Sequence, residues 1–134
     1  MKDTIFDPIR KKRVAHTPEE GVRQQLIALL SGQYGYPLHM MSCEYSVTIN
    51  KLKYRGDLVI FNNQAKPVLL AECKAPYVPV RRDTFEQILR YNMSLKVEYL
   101  LVTNGVDTFF AKFDHTESRY IYLDKIPPYN ELLK

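Results

Sequence analysis

Apolar residues recur at helical spacing in a stretch that opens with residues typical of a helix start. Thr17 suits the N-cap, Pro18 the first helical position and Glu20 the third, where its carboxylate would close a capping box. Gly32 and Gly35 end the stretch. The inward positions predicted for this first helix are Val22, Leu26, Leu29 and Leu30.

A second helical pattern covers residues 84–95. Asp83 and Glu86 stand at the spacing of another capping box, so we expect the helix to begin there. Its predicted inward positions are Phe85, Ile88, Leu89 and Leu95.

The remaining apolar runs have the period and length of strands. Residues 62–66 are polar and separate two of the runs, which predicts a hairpin turning at Gln64-Ala65. The predicted strands cover residues 44–50, 55–61, 67–74, 99–103, 108–113 and 119–123. The element order α-β-β-β-α-β with trailing strands predicts an α/β fold, a mixed central β-sheet flanked by helices.

Length and composition indicate one small domain. The chain has 134 residues, and 46% hydrophobic residues are enough for a single core. We divide it into a basic N-terminal arm of unassigned structure (1–16), a core (17–105), and trailing strands with a tail (106–134). The net charge of +4 and a pI near 9.0 are compatible with a polyanionic partner but do not identify one.

The sequence has no feature of an exported or membrane protein. Its amino terminus is charged, and no apolar run approaches the ~18 residues of a membrane span. Cys43 and Cys73 lack metal-ligand spacing, so we expect two free thiols, a cytoplasmic location and no membrane partner.

Candidate chemistry lies in the predicted hairpin. Its register places Asp57 opposite Glu72, with Cβ atoms roughly 5 Å apart. Two facing carboxylates repel, and a divalent cation such as Mg²⁺ or Mn²⁺ would offset the repulsion. Lys74 leaves the strand on the same face as Glu72, where it would suit a phosphate or an activated water. The alternative is an exposed strand with an alternating, salt-bridged face.

This spacing resembles the signature of PD-(D/E)xK nucleases. The matching residues are Asp57 and, on the next strand, Glu72-Cys73-Lys74, with Gly56 where those enzymes have the proline of the name. The resemblance implies metal-dependent phosphodiester hydrolysis and a restriction-endonuclease-like fold.

Three further motifs resemble one branch of that superfamily. Residues 87–91 form Q-x-x-x-Y, residues 19–23 match E-x-x-[TV]-R, and residues 103–105 match T-[DN]-G. Together with Glu72-Cys73-Lys74-Ala75-Pro76, and in their order along the chain from about Thr17 to about Gly105, these motifs are similar to the N-terminal nuclease domain of the cleavage (R) subunits of type I restriction enzymes. The chain is therefore expected to be a metal-dependent DNA endonuclease domain related to those subunits.

The resemblance assigns roles to the strand residues. Asp57 and Glu72 would hold Mg²⁺ (or Mn²⁺), with the backbone carbonyl of Cys73 as a third ligand. Lys74 would orient or deprotonate the attacking water, or stabilise the pentavalent phosphate. Whether one or two metal ions are used stays open.

Helix residues complete the implied site. Glu19 is favoured as the helix-borne acid for a second metal or a metal-bound water, with Glu20 as the alternative because its cap position already explains it. Gln87 would help to order the metal site, and Tyr91 would help to hold DNA. A partly exposed polar pair is the plainer interpretation of these last two residues.

Basic residues outside the motifs are candidates for DNA backbone contacts. Arg81 and Arg82 precede the second helix, and Lys12 and Arg13 belong to the basic arm. For both groups, a solvated or salt-bridged surface is an alternative.

The sequence contains no G-x-x-x-x-G-K-[ST], so an ATP-driven motor would have to be a separate partner or absent. The expected partner is DNA, with separate motor or specificity subunits as further possibilities. The competing hypothesis is a catalytically inactive nucleic-acid-binding or assembly module with the same fold.

Overall fold

The structure is a computed structural model that describes residues 3–49, 51–92 and 97–133, with side chains described except at residues 45, 47–49, 52–55, 87 and 90–92. Within these residues the chain forms eight strands, three α-helices and one 3₁₀ turn (Leu38–Met40). The elements are β1 (Thr4–Asp7), β2 (Lys12–Ala15), α1 (Pro18–Gln33), β3 (Met41–Ile49), β4 (Leu52–Phe61), β5 (Pro67–Cys73), α2 (Arg82–Asn92), β6 (Tyr99–Thr103), β7 (Thr108–Asp114), β8 (Arg119–Tyr122) and α3 (Tyr129–Leu132).

Six strands form one sheet in the order β3-β4-β5-β6-β7-β8. Among these pairs β5 and β6 run parallel, while the others run antiparallel. A parallel pair needs a crossover connection, and α2 lies on the segment that joins β5 to β6. The predicted α/β fold with a mixed sheet and flanking helices is confirmed.

The predicted hairpin between β4 and β5 is also confirmed. Leu58 pairs with Ala71 and Ile60 with Leu69, which is the register inferred from the sequence, and a one-residue shift occurs only beyond Ile60. At the turn, the Asn62 Oδ1 accepts hydrogen bonds from the backbone N–H groups of Gln64 (2.9 Å) and Lys66 (3.0 Å). The short polar side chain therefore closes the turn that defines the register.

Alternate residues of the central strands enter two separate cores, one on each face of the sheet. The first core packs α1 against the sheet and includes Val22, Ile27, Leu58, Ile60, Leu69 and Ala71. The second core packs α2 against the opposite face and includes Phe85, Ile88, Val59, Leu70, Leu100 and Val102. Burial on both faces explains why these strands are almost continuously apolar in sequence.

Helix α1 begins where the sequence predicts. The Thr17 hydroxyl accepts a hydrogen bond from the backbone N–H of Glu20 at 3.1 Å, as an N-cap should. The other half of the predicted capping box is wrong, because the Glu20 carboxylate binds Arg10 and Gln24. Leu29, predicted to face inward, is 39% exposed, whereas the buried face extends to Ile27.

Helix α2 starts two residues before the predicted position, at Arg82, and the N–H of Phe85 donates to the carbonyl of Arg81 at 3.0 Å. Asp83 is therefore inside the helix, so its predicted role in a capping box is wrong. Its Oδ1 accepts a hydrogen bond from the N–H of Thr84. Leu95, a predicted inward residue, lies outside the described residues.

The N-terminal segment forms a two-stranded antiparallel sheet from β1 and β2, where the sequence predicted an arm of unassigned structure. Strand β3 begins at Met41, three residues earlier than predicted. At the other end of the chain, the Tyr129 hydroxyl donates to the carbonyl of Phe61 at 2.7 Å, which fixes α3 against the sheet. None of the described helices has the length and apolar character needed to cross a membrane.

Gly56 provides a test of packing next to the candidate site. A Cβ atom at this position would lie 2.1 Å from the Leu70 Cδ1 and 3.2 Å from the Val59 Cγ2. We therefore expect Gly56→Ala to lower the free energy of unfolding by about 1–3 kcal/mol through overpacking. Urea denaturation should show a lower midpoint with an unchanged slope.

Gly32→Ala is the matched control, because a Cβ at that helical position meets no atom within 4 Å. This variant should be neutral or more stable by up to about 1 kcal/mol. Equal stability of Gly56→Ala and wild type would contradict the packing seen around Leu70.

Candidate active site

Strands β4 and β5 separate at the end where the predicted acids lie. Leu58 and Ala71 are the last paired residues of their described ladder. One residue earlier along β4, the Asp57 Oδ2 accepts a hydrogen bond from the backbone N–H of Cys73 at 2.8 Å. The carboxylate thus bridges the opening between the strands and satisfies a backbone donor that the ladder leaves unpaired.

Strand β5 stays attached to β6 at the same level. Cys73 pairs with Thr103, and the N–H of Lys74 donates to the Thr103 carbonyl at 2.8 Å. The opening is therefore on the β4 side of β5, which is the side that carries Asp57.

Glu72 and Lys74 lie together, as predicted. The Lys74 Nζ is 3.8 Å from the Glu72 Oε2, and both side chains are partly exposed. Burial raises the pKa of the Glu72 carboxyl; the Lys74 amine lowers it and the nearby Asp57 carboxylate raises it, and the net effect is a raised pKa. Glu72 and Asp57 therefore interact unfavourably, as expected for two acids that share a site.

Cys73 leaves β5 on the opposite face and belongs to the core beneath α1. Burial raises the pKa of its thiol to about 12, so the thiol is a packing group and not a nucleophile. Its backbone N–H, by contrast, faces Asp57.

The residues present are compatible with Mg²⁺, which binds through one or two carboxylates and keeps several waters. Asp57 and Glu72 could supply those carboxylates, and the Cys73 carbonyl the further oxygen predicted from the sequence. Among the described side chains, no group of three or more His, Cys, Asp or Glu residues is arranged to hold a metal. A metal at this site would therefore depend on water, backbone oxygen or substrate oxygens for its other ligands.

A buried arginine lies behind Asp57, and sequence reasoning gave it no role. The Arg23 Nη2 is 3.8 Å from the Asp57 Oδ1 and 3.8 Å from the Glu44 Oε1, and its Nη1 is 3.6 Å from the Glu20 Oε1. Arg23 is the last residue of the E-x-x-[TV]-R motif and directly follows the core residue Val22, and these were the signals that could have drawn attention to it.

The two candidate acids on α1 differ in position. Glu19 is exposed, whereas Glu20 is buried and accepts hydrogen bonds from the Arg10 Nη2 (2.6 Å) and the Gln24 Nε2 (3.2 Å). The structure thus brings Glu20, and not the favoured Glu19, into the charged cluster around Arg23. Metal binding by either residue stays a prediction.

Arg10 links the N-terminal hairpin to this cluster. It binds the carboxylate of Asp7, which is fully buried and also accepts hydrogen bonds from the backbone N–H groups of Ile9 (2.8 Å) and Arg10 (3.2 Å). Burial alone would raise the pKa of Asp7, but the hydrogen bonds and the charge of Arg10 lower it below its usual value. The hairpin is therefore held to α1 by an ion-pair chain from Asp7 through Arg10 to Glu20.

The predicted phosphate-contacting residues lie in separate places. Lys12 is exposed on β2, and Arg13 donates hydrogen bonds to the Thr4 hydroxyl (2.7 Å) and carbonyl (2.9 Å). Arg81 is exposed just before α2. Arg82 lies 4.9 Å from the ring centre of Tyr122 and 3.6 Å from the Glu86 carboxylate. Their DNA contacts stay predictions.

Gln87 and Tyr91 both belong to α2, as the Q-x-x-x-Y motif requires, but their side chains lie outside the described part of the structure. The helix itself covers the sheet face that contains Leu70, and Glu72 and Lys74 alternate onto that same face. The backbone therefore places the motif on the side of the sheet where the site opens.

The T-[DN]-G motif has a clear structural role. The Asn104 Oδ1 accepts hydrogen bonds from the N–H groups of Val106 (2.9 Å) and Asp107 (2.7 Å), and its Nδ2 donates to the Val78 carbonyl at 2.9 Å. Gly105 adopts φ +89°, a conformation that favours glycine. The motif thereby ties the loop after β6 to the loop after the E-x-K strand.

A comparison with protein-family models identifies the family of the chain. The model for the type I restriction enzyme R protein N terminus matches residues 18–127. The chain belongs to this family.

A search of solved structures supports the fold. A fragment of a protein assigned as the HsdR subunit of a type I restriction enzyme from Vibrio vulnificus YJ016 superimposes with a TM-score of 0.61 at 19% sequence identity. The match covers 87% of this chain and 24% of that one, so the chain spans about a quarter of the solved fragment.

The type IIG restriction endonuclease BpuSI was also found, with a TM-score of 0.37 and 22% identity over 82% of this chain and 13% of its own. No match was found among curated proteins.

The Asp7–Arg10 pair predicts a pH dependence of stability. Because the folded-state pKa of Asp7 is lowered, its stabilising contribution should be present above its unfolded pKa near 3.8 and be lost as the pH falls through the folded value. We expect Asp7→Asn to lower the free energy of unfolding by about 2–4 kcal/mol between pH 5 and 7, because it removes one of the two carboxylates that neutralise Arg10. The difference from wild type should shrink below pH 4.

Urea unfolding of wild type and Asp7→Asn from pH 3 to 7 measures this difference. Asp3→Asn, at an exposed position of the same segment, is the control and should change stability by less than about 0.5 kcal/mol. A pH-independent difference would show that the buried shape of Asp7, and not its charge, is what matters.

Proposed function

We propose that the chain is a metal-dependent endodeoxyribonuclease domain that hydrolyses DNA phosphodiester bonds. The observation that carries this proposal is the convergence of Asp57, Glu72 and Lys74 at the opening between β4 and β5. Two partly exposed acids with a neighbouring amine, at the edge of an otherwise apolar sheet, form a site for a cation and an oxyanion.

Asp57 and Glu72 would hold Mg²⁺ or Mn²⁺, with the Cys73 carbonyl as a further ligand. When bound, the ion would supply Lewis-acid activation of a water and charge neutralisation at the phosphate. The hydrogen bond from the Cys73 N–H keeps one Asp57 oxygen fixed and leaves the other, Oδ1, toward Arg23 and the site. This contact therefore orients the acid before any ligand arrives.

Lys74 would act on the reacting groups. Its Nζ lies 3.8 Å from Glu72, a separation that leaves its N–H donors able to turn toward a water or a phosphate oxygen. In the reaction, the water oxygen forms a bond to phosphorus, the bond to the leaving sugar oxygen breaks, and a proton from the water ultimately reaches that oxygen. Lys74 would hold the incoming water or the extra negative charge on phosphorus.

The α-helices would complete the site. We assign the acid on α1 to Glu20 in preference to Glu19, because Glu20 belongs to the cluster that reaches Asp57 through Arg23. Gln87 and Tyr91 would approach from α2, helping to order the site and to hold DNA. Arg81, Arg82, Lys12 and Arg13 would contribute contacts to the DNA backbone.

The family indicates a biological setting. We infer that the domain works within, or alongside, a restriction enzyme whose motor and specificity functions reside in other domains or subunits, because the aligned region covers only 24% of the matched HsdR fragment. DNA is the proposed substrate in either setting.

Metal binding is the first test. Asp57→Ala should weaken Mn²⁺ binding roughly tenfold or more, about 1.4 kcal/mol, because it removes one of two proposed carboxylate ligands. Isothermal titration calorimetry measures the affinity directly. Asp124→Ala, at an exposed acid on the loop after β8, is the control and should bind as wild type does. Equal affinities for all three proteins would refute the assigned ligands.

Cleavage is the second test. Lys74→Ala should retain the fold and Mn²⁺ binding but lower the rate of supercoiled plasmid nicking by roughly 10²-fold, since one charged donor to the transition state is lost. Lys66→Ala, at the exposed turn between β4 and β5, is the matched lysine control and should nick as wild type does.

Nicking by wild type and Lys66→Ala but not by Lys74→Ala supports the nuclease. Equal nicking by all three proteins would point to a contaminant. If no protein cleaves plasmid, single-stranded or branched DNA in Mg²⁺ or Mn²⁺, the inactive binding or assembly module becomes the better account.

A further inference from the structure

Arg23 is buried in an unusual electrostatic position. It is 7% exposed, and three carboxylates surround its guanidinium at 3.6–3.8 Å, those of Glu20, Glu44 and Asp57. These separations are longer than direct charge-assisted hydrogen bonds, which are about 2.7–2.9 Å. Its Nε and Nη1 atoms have no hydrogen-bond partner within the described residues.

Contacts of this kind contribute little to the stability of the folded protein. A buried guanidinium recovers its desolvation cost only when its donors are satisfied with good geometry. The guanidinium of Arg10, in contrast, has well-placed partners, since it lies 2.6 Å from Glu20 and directly contacts Asp7. The long contacts of Arg23 therefore indicate that its main role is to balance the negative charge of the site, and not to pack α1 against the sheet.

We propose that Arg23 is a positioning residue that acts as the internal counter-charge of the Asp57 site, holding its carboxylates together without metal and limiting how tightly a cation binds. This inference rests on the proposed function for the existence of the metal site. Because arginine carries a permanent positive charge, it opposes any second cation that approaches Asp57. The guanidinium of Arg23 lies between the acid on α1 and the acids on β3 and β4.

Replacing Arg23 by glutamine should therefore have opposite effects on the metal-free and metal-bound protein. Without metal, Glu20, Glu44 and Asp57 lose a shared cation, so the melting temperature should fall. With metal, the more negative site should bind Mn²⁺ about tenfold more tightly, equivalent to about 1.4 kcal/mol. In saturating Mn²⁺, the rise in melting temperature should exceed that of wild type by roughly 5 °C.

The experiment compares the 134-residue wild type with the variants Arg23→Gln, Arg23→Lys and Arg119→Gln. Calorimetry measures Mn²⁺ affinity, and thermal unfolding is followed in EDTA and in Mn²⁺. Arg23→Lys keeps the charge and should restore an affinity within about threefold of wild type, whereas loss of packing alone would give Arg23→Lys and Arg23→Gln similar affinities. Arg119→Gln is the matched control, because Arg119 is an exposed arginine on β8, three strands away from β5, paired with Glu117. It should bind Mn²⁺ as wild type does.

The outcomes separate this inference from the proposed function. If wild type binds Mn²⁺ and Arg23→Gln binds no more tightly, the inference is overturned while the proposed metal site stands. If only Arg23→Gln binds, the inference holds although wild type lacks the proposed metal-binding activity. If neither protein binds Mn²⁺, both are overturned.

A folding defect would also be decisive. If Arg23→Gln folds only when Mn²⁺ is present, the metal has replaced the counter-charge and the inference is supported. If it is unfolded in both conditions, the double variant Arg23→Gln/Asp57→Asn removes the uncompensated carboxylate as well. Recovery of the fold in the double variant supports the inference, and continued unfolding assigns Arg23 to packing alone.

Discussion

Burial of β5 on both faces is the constraint on which the site depends. Val68 through Ala71 are buried, and the side chains of Leu69, Leu70 and Ala71 alternate between the α1 core and the α2 core. A charged residue within that stretch would lose its hydration without gaining a partner. Charged side chains can therefore be placed on β5 only where β4 separates from it, and Glu72 and Lys74 lie at that end of the strand. The Asp57 hydrogen bond to the Cys73 N–H marks its boundary.

Acidic side chains are crowded at this end of the sheet, and their charge determines where the neighbouring cations lie. Four acids converge from α1, β3, β4 and β5, namely Glu20, Glu44, Asp57 and Glu72. The described ion pairs with them are made by Arg10, Arg23 and Lys74. Arg10 is hydrogen-bonded, whereas Arg23 keeps its partners at longer distances. In this cluster Arg10 fixes the N-terminal hairpin, whereas Arg23 and Lys74 lie next to the acids of the candidate site. The charge that holds the fold together is therefore carried by a different residue from the charges at the site.

Local patterns in the sequence were sufficient for the sheet and for its central hairpin. The polar turn at residues 62–66 predicted the register because a two-residue period and a turn position together leave little freedom. The same register predicted that Asp57 and Glu72 would meet, and the structure brings them to one end of the hairpin. What the register could not predict is that the Asp57 side chain bonds to Cys73, since that depends on the strands separating.

Helix positions were harder to predict because their contacts are distant in sequence. Glu20 and Glu19 are equally placed for a favourable interaction with the helix amino terminus, and only the position of Arg10 in the folded hairpin distinguishes them. The role of Arg23 was hidden for a related reason: apart from Glu20 on its own helix, the acids around it lie on β3 and β4, far away in sequence. Likewise, the basic N-terminal residues gave no apolar period from which a hairpin could be predicted.

The departure from the proline of the PD-(D/E)xK name has a steric explanation in this chain. The space that a Cβ at Gly56 would enter is filled by the Leu70 side chain, which belongs to the α2 core. Any larger residue at position 56, proline included, would require Leu70 to move or be smaller. Leu70 lies two residues before Glu72 on the same face, so its packing also sets the position of that acid. Gly56 and Leu70 are thus one packing solution, in which the core beneath α2 extends to the edge of the candidate site.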